Sequence, residues 1–115
     1  MEIERAFSLS WFEIRSTRRN YYTDNIHYNV FAVGKWAGHI MDWRGCNFWH
    51  KKVNDRYFKS ISEAFDWIQG QLDNGTFSDN MTIDGGGHLS ENREPMLEEK
   101  VVHISKDNKA YYGSD

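Results

Sequence analysis

The segment SISEAFDWIQGQL, from Ser60 to Leu72, carries the clearest local signal in the sequence. Ser60 is followed three residues later by Glu63, a capping-box pattern that predicts the start of a helix. Apolar residues then recur at helical spacing along one stripe, at Ile61, Ala64, Phe65, Ile68 and Leu72. Asn74-Gly75 ends the pattern, because glycine readily adopts the left-handed conformation at a helix C-terminus. An amphipathic helix needs an apolar surface to cover, so the segment predicts a layered fold.

The residues before the helix supply that surface as strands. Aromatic, β-branched and alternating residues predict four of them, at Ala6–Arg15, Ile26–Val33, Trp36–Trp43 and Cys46–Val53. Turns are predicted between them at Gly34-Lys35, Arg44-Gly45 and, after the fourth strand, Asn54-Asp55-Arg56. The close spacing favours an antiparallel meander. The sequence therefore predicts an α+β fold in which a sheet of about four strands packs on one amphipathic helix.

The first predicted strand changes phase along its length. Phe7, Leu9 and Trp11 share one face at strand spacing, whereas Phe12 and Ile14 break that alternation. Such a shift predicts either a β-bulge or a strand that is buried on both faces.

Residues 78–115 continue the same domain as an acidic, loop-rich segment after a sheet-plus-helix core at residues 1–77. Ser78–Glu94 contains Gly85-Gly86-Gly87 and few apolar residues, which predicts a loop. Lys100–Ser105 is predicted as a terminal strand. Asp107-Asn108 is predicted as a turn before Ala110-Tyr111-Tyr112.

Length and composition favour one soluble domain. The chain has 115 residues, of which 39% are hydrophobic and 16% aromatic, so large rings must supply much of the core. A single cysteine excludes an internal disulfide and a cysteine-rich zinc site. The sequence shows neither a signal-peptide pattern nor an apolar run long enough to span a membrane. We therefore expect a cytoplasmic protein without membrane association.

The formal charge of −3 is unevenly distributed. Residues 1–72 hold ten lysines and arginines against eight acidic residues, whereas residues 73–115 hold four against nine. The most basic stretch is Arg44–Lys59, with five cations and one acid. A mildly basic, aromatic part is thus followed by an acidic part that is poor in aromatic residues.

Catalytic and metal-binding patterns are weak. Cys46 and His50 share a face of one predicted strand, but they lie about 13 Å apart along it, too far for a thiolate–imidazole pair. The five histidines lack metal-ligand spacing. A calcium-loop template matches Asn80, Thr82, Asp84, Gly85 and Glu91, but its first position is Asn and no helix precedes it. We therefore expect no enzyme activity, no metal and no cofactor.

Exposed rings and charges are the strongest functional pattern, centred on DWRGCNFWHKK at Asp42–Lys52. One helix covers only one face of a sheet, so some of the rings are expected to stay accessible, and Trp, Tyr and Arg dominate binding hot spots. The predicted partner-binding residues are Arg18, Arg19, Tyr21, Tyr22, Trp36, Trp43, Arg44, Phe48, Trp49, Lys51 and Lys52. The predicted acidic surface comprises Asp84, Glu91, Glu94, Glu98 and Glu99.

Three kinds of partner suit these residues. Rings and cations at Arg44, Phe48, Trp49, Lys51, Lys52, Arg56 and Tyr57 match a nucleic-acid surface, but a negative net charge and a pI near 5.9 oppose it. A small ligand held between rings is a second alternative. Protein recognition needs no positive net charge, and we favour it. The sequence leaves monomer and homodimer open.

The segment from Tyr28 to Leu72 carries an F-x-S-x-x-E-A motif at Phe58, Ser60, Glu63 and Ala64. In this it resembles small single-domain host-interaction proteins of bacteriophages and mobile elements, and it is similar to small cytoplasmic toxin-immunity proteins. DNA-binding arm domains of integrases have a similar sheet and helix but are usually more basic. The resemblance implies a stoichiometric binder that inhibits a host defence or nuclease complex, or an immunity protein, without catalytic residues. The acidic segment offers a second mode, with carboxylates placed where phosphates would lie in a partner's nucleic-acid groove.

Overall fold

A computed structural model describes residues 6–16, 26–36, 48–84, 88–89 and 99–113. In chain order the strands and the helix of these residues are β1 Phe7–Ser16, β2 Tyr28–Trp36, β3 Phe48–Lys52, α1 Ile61–Asp73, β4 Thr82–Ile83, β5 His88–Leu89, β6 Glu99–Ile104 and β7 Ala110–Tyr112. The seven strands form one antiparallel sheet and the helix packs on it. The predicted α+β class is confirmed, with more strands than the four expected.

The sheet has the order β5-β3-β2-β1-β6-β7, and β4 pairs with the N-terminal end of β1. Strands β1, β2 and β3 follow one another as antiparallel neighbours, and β3 lies directly beside β2, in the place that the predicted meander gives to Trp36–Trp43. The other side of β1 is paired by the C-terminal strand β6, whose Val102 is fully buried. The C-terminal part of the chain therefore contributes a strand beside the central one.

Strand β1 contains the bulge that its sequence predicts as one of two alternatives. Leu9 pairs with Gly34 and Trp11 pairs with Val33, so Ser10 is the extra residue on the bulged strand. The bulge restores one apolar face for the helix to cover. It places Phe7, Leu9, Phe12 and Ile14 in a single core cluster, all of them fully buried.

Gly34 lies inside β2, opposite this bulge, and the turn predicted at Gly34-Lys35 is wrong. A Cβ atom at Gly34 would lie 1.6 Å from the backbone carbonyl oxygen of Ser8. Glycine is needed here for close approach of two backbones rather than for chain reversal. The strand predicted at Trp36–Trp43 starts at the last residue of β2, and its remainder lies outside the described residues.

Helix α1 begins as the capping pattern predicts. The Ser60 side-chain oxygen accepts a hydrogen bond from the Glu63 N–H at 3.1 Å, and a Glu63 carboxylate oxygen accepts one from the Lys59 N–H at 3.1 Å. Ala64, Ile68 and Leu72 form the buried stripe. The helix ends at Asp73, Asn74 is its C-cap, and Gly75 follows with a φ of 83°.

Two short strands occur where Ser78–Glu94 is predicted to be a loop. Strand β4 pairs with Phe7-Ser8 and β5 pairs with Trp49-His50. Two-residue strands are too short to show alternation, so the sequence pattern does not reveal them. The predicted terminal strand is confirmed as β6, and Ala110–Tyr112 forms β7.

The hairpin of β6 and β7 is hydrogen-bonded to the C-terminal half of α1. Asn108 has a φ of 64° in the connecting turn and its side-chain amide donates to the Leu72 carbonyl oxygen at 3.1 Å. The Ala110 N–H donates to the side-chain oxygen of Gln69 at 2.8 Å. The Leu72 carbonyl, which also accepts from the Gly75 N–H at 3.3 Å, thus gains a second donor, and the Ala110 N–H gains an acceptor. Within the described parts of the chain, no helix is long and apolar enough to cross a membrane.

Candidate binding surface

The chain after β3 is bound to the start of β2. Tyr28 and Phe58 exchange two backbone hydrogen bonds, at 2.9 and 2.8 Å. The buried Asn54 side chain accepts from the Val30 N–H at 2.9 Å and donates to the Arg56 carbonyl oxygen at 2.9 Å. Because these contacts fix both ends of the turn, residues 55–59 hold a defined position against β2.

The neighbours of this bridge, His27 and Tyr57, stack on each other. Their ring centroids are 3.6 Å apart and the planes are inclined by 13°. Tyr57 keeps 52% of its surface exposed, which makes it one of three large exposed aromatic residues in the described parts of the chain, with Tyr111 and Tyr112. A stacked, half-exposed tyrosine offers a rigid contact surface with little conformational entropy left to lose.

An open hollow of about 510 Å³ lies around this ring pair, and we call it the cationic hollow. It is lined by His27, Asn29, Lys52, Asp55, Arg56, Tyr57 and Lys59. Lys52, Arg56 and Lys59 are exposed, and none of them forms an ion pair with a carboxylate of the described residues. Asp55 is the only acid among the described lining residues, whose formal charge is therefore +2. Such a site attracts anionic groups.

A second hollow of about 400 Å³ has two lining residues, Lys52 and Asp55, in common with the first. We call it the anchor hollow because its lining includes four apolar side chains, those of Val53, Phe77, Met81 and Ile83. Lys51 and Asp84 stand at its edge, where the Lys51 ammonium donates to the Asp84 carbonyl oxygen at 2.8 Å. This bond ties β3 to the chain just after β4.

The sheet face opposite the helix holds a buried polar cluster. The Arg15 guanidinium donates to Glu13 at 2.7 and 3.0 Å and contacts His50 Nδ1 at 2.7 Å. Because a guanidinium only donates, His50 Nδ1 must accept, which leaves its ring proton on Nε2. The guanidinium carbon also lies 4.2 Å from the centre of the Phe31 ring.

Glu13 is ionised in this cluster. Burial by itself raises its pKa, but hydrogen bonds with Trp11, Glu99 and Arg15, together with the charge of Arg15, bring the pKa below its ordinary value. Arg15 and Glu13 expose only 3% and 6% of their surface. The cluster therefore fixes β1 against β3 and β6 rather than meeting a partner.

The predicted basic, aromatic stretch divides between the two faces of the sheet. Trp49 is half-buried and packs against the core, on the same strand face as Lys51. Lys52 points the other way and joins the cationic hollow together with Arg56 and Tyr57, two residues of the nucleic-acid alternative. Trp36 and Phe48 are terminal residues of β2 and β3. Arg18, Arg19, Tyr21, Tyr22, Trp43 and Arg44 lie outside the described residues.

The predicted acidic surface is also divided. Asp84 is exposed at the edge of the anchor hollow. Glu99 is half-buried and its side chain bonds to Glu13, so it belongs to the polar cluster. Glu91, Glu94 and Glu98 lie outside the described residues.

Four residues of the cationic hollow are absent from the sequence-based prediction of binding residues, namely His27, Asn29, Asp55 and Lys59. His27 is separated from Tyr57 by 30 positions, and no pattern in the sequence indicates the Tyr28–Phe58 bridge that brings them together. Lys59 belongs to the basic stretch Arg44–Lys59, but the capping pattern beside it indicates only a helix start and no binding role.

The parts of the chain that the structure describes contain no group of three His, Cys, Asp or Glu side chains placed to hold a metal ion. Cys46 lies outside these parts, as do Gly85 and Glu91 of the calcium-loop match. No protein-family model matches the chain, and neither curated proteins nor solved structures give a match.

Proposed function

We propose that this chain is a small non-enzymatic binding protein that contacts an acidic surface of a protein partner through the cationic hollow. One observation carries the proposal: Lys52, Arg56 and Lys59 line the same hollow as the exposed Tyr57 and form no ion pairs with described carboxylates. Cations that form no ion pair with the described carboxylates break no such pair when an acidic partner binds, so the contact costs their hydration and side-chain freedom but no existing ion pair.

The residue types suit a protein interface. Tyrosine and arginine are enriched among hot-spot residues, and charges at the rim mainly raise the association rate and select complementary partners. The stacked Tyr57 ring supplies the apolar centre and the three cations supply the rim. The buried Asn54 holds the intervening turn, so the surface is organised before binding.

Inhibition is the proposed consequence of binding. A stoichiometric binder that covers a partner's surface needs no catalytic group, which suits an inhibitor of a host defence or nuclease complex. It equally suits a toxin-immunity protein. Both roles follow from the resemblance of Tyr28–Leu72 to such proteins, and both stay predictions.

Nucleic acid is the second candidate, and the same three cations beside a stacked ring favour it. The overall charge of −3 opposes it at long range. The two candidates differ in their response to salt. Three phosphate contacts give a slope of log K against log salt of roughly −2 for a single strand.

A capture experiment tests the proposal. Tagged protein is incubated with bacterial lysate after nuclease treatment, in wild-type form, as the double variant Lys52→Ala/Arg56→Ala and as Lys106→Ala. Lys106 is an exposed lysine in the turn between β6 and β7 and serves as the matched control. We expect a stoichiometric protein with wild type and with Lys106→Ala, and its loss with the double variant. Retention by the double variant, or capture of nucleic acid alone, would contradict the proposal.

A further inference from the structure

We infer that the partner binds through an acidic segment that also carries one apolar side chain, and that this side chain occupies the anchor hollow. The inference rests on the proposed function and specifies the chemistry of the partner. The charge contact of the proposed function involves the cationic hollow only, and the inference assigns an occupant to the anchor hollow.

The two hollows share one residue pair. Lys52 and Asp55 line both of them, so a segment that meets Lys52 with a carboxylate already contacts a residue of the anchor hollow. The backbone that joins them is the end of β3 and the turn held by Asn54. Relative placement of the two hollows is therefore fixed by the fold.

The anchor hollow suits an aliphatic side chain in size and surface. Its volume of about 400 Å³ exceeds that of one large side chain. Val53 and Met81 are half-buried, so each still offers apolar surface, while Phe77 and Ile83 lie deeper as part of the core. Methionine adapts its shape to the group that it meets, which favours contact with a leucine or similar side chain.

The charge of the anchor hollow distinguishes it from its neighbour. Lys51 and Lys52 are balanced by Asp55 and Asp84, so the formal charge of its described lining residues is zero. Lys51 is moreover already bonded to the Asp84 carbonyl oxygen. A phosphate group would gain little electrostatic attraction from such a site. A neutral apolar hollow beside a cationic one fits a peptide with mixed acidic and apolar residues better than it fits a nucleic-acid backbone.

Defined peptides test the inference on the full chain. Three fluorescein-labelled twelve-residue peptides are compared by anisotropy at low salt: one rich in Glu and Gly with a central Leu, the same peptide with Ala in place of Leu, and a Lys-rich version with Leu. Single-stranded oligothymidine of twelve nucleotides is the fourth probe. Carbon-13 methyl spectra report on Met81, whose signal is assigned with Met81→Leu.

We expect the acidic Leu peptide to bind about tenfold more tightly than its Ala version, since several methyl and methylene groups are buried. The Met81 methyl signal should shift with the Leu peptide and remain in place with the Ala peptide. Thr82→Gln narrows the hollow from an exposed lining position without a change of charge, and it should remove most of the difference. Ser78→Gln, at an exposed position before β4 that does not line the hollow, should preserve it.

The outcomes separate the two claims. Equal affinity of the acidic Leu and Ala peptides, with both weakened by Lys52→Ala/Arg56→Ala, would overturn the anchor while the proposed function stands. Acidic peptides that bind no better than the Lys-rich peptide would overturn the proposed function and the anchor together. Tighter binding of oligothymidine than of either acidic peptide would do the same in favour of nucleic acid.

Discussion

His27 and Tyr57 stack at 3.6 Å although 30 positions separate them in the chain. The contact exists because the adjacent residues Tyr28 and Phe58 form a backbone bridge. It brings an aromatic pair into one hollow with three cations and so defines the proposed binding surface.

Tyr57→Ala should separate binding from stability. The ring is half exposed, so its removal should cost only about 1 kcal/mol of unfolding free energy, mainly from the lost stacking. Binding of an acidic partner should weaken at least about tenfold, as expected for a tyrosine hot spot. Tyr111→Ala is the matched control, because Tyr111 is 50% exposed and does not line the hollow. Urea denaturation and peptide anisotropy measure the two effects, and equal binding losses in both variants would argue against a localised site.

Gly34→Ala tests the close approach at the bulge. The new Cβ would meet the Ser8 carbonyl oxygen at 1.6 Å, so the two strands must move apart. We expect a loss of about 3 kcal/mol in unfolding free energy. Gly70→Ala is the control within the helix, where a Cβ meets nothing within 4 Å. That substitution should stabilise the protein by about 0.5–1 kcal/mol. A neutral effect of Gly34→Ala in urea denaturation would show that the paired strands are not held as described.

Acid should destabilise the protein through Glu13. Folding lowers the pKa of this carboxyl, so its contribution to stability is present above the pKa of the unfolded chain and is lost as the pH falls through the folded value. Glu13→Gln should remove about 3 kcal/mol at pH 7, because it breaks the buried ion pair between Glu13 and Arg15. As the pH is lowered from 5 to 3, the unfolding free energy of Glu13→Gln should then fall less steeply than that of the wild type. Parallel pH profiles for the two proteins would contradict this role.

Asn108 should stabilise the fold both through its backbone conformation and through its side-chain amide. Asn108→Gly keeps the left-handed conformation and loses the bond to the Leu72 carbonyl, so we expect a loss of about 1 kcal/mol. Asn108→Ala adds the strain of a positive φ and should cost about 2 kcal/mol in total. Thermal denaturation of both variants gives the comparison. If alanine were tolerated as well as glycine, the backbone would not be held in that conformation.

Local rules account for the parts of this fold that depend on neighbours in the chain. Ser60 and Glu63 predict the helix start, and the phase shift after Trp11 predicts the bulge as one of two alternatives. The close packing of Gly34 against β1 could not be predicted from the local sequence. A glycine between apolar runs indicates a turn unless the partner strand is known. The short strand β4 depends on its pairing with Phe7-Ser8 and leaves no periodic pattern of its own.

In the candidate site, too, residues that are close in sequence could be predicted and a residue brought in by a long-range contact could not. Lys52, Arg56 and Tyr57 are visible as a basic, aromatic stretch, since they lie close together in the sequence. Trp49 and Lys51 belong to that stretch but point to the helix face, as alternation along a strand requires. His27 enters the site through a long-range bridge, and no local pattern encodes that contact.

The most direct test of the central claim is chemical-shift mapping of the full chain with the acidic Leu peptide. Amide and side-chain signals of isotope-labelled protein are followed during titration, at low salt and again at 300 mM salt. The account predicts the largest shifts at Lys52, Arg56 and Tyr57, with smaller shifts at high salt because exposed charges are screened. Largest shifts at Tyr111 and Tyr112, or no saturable shift anywhere, would contradict it.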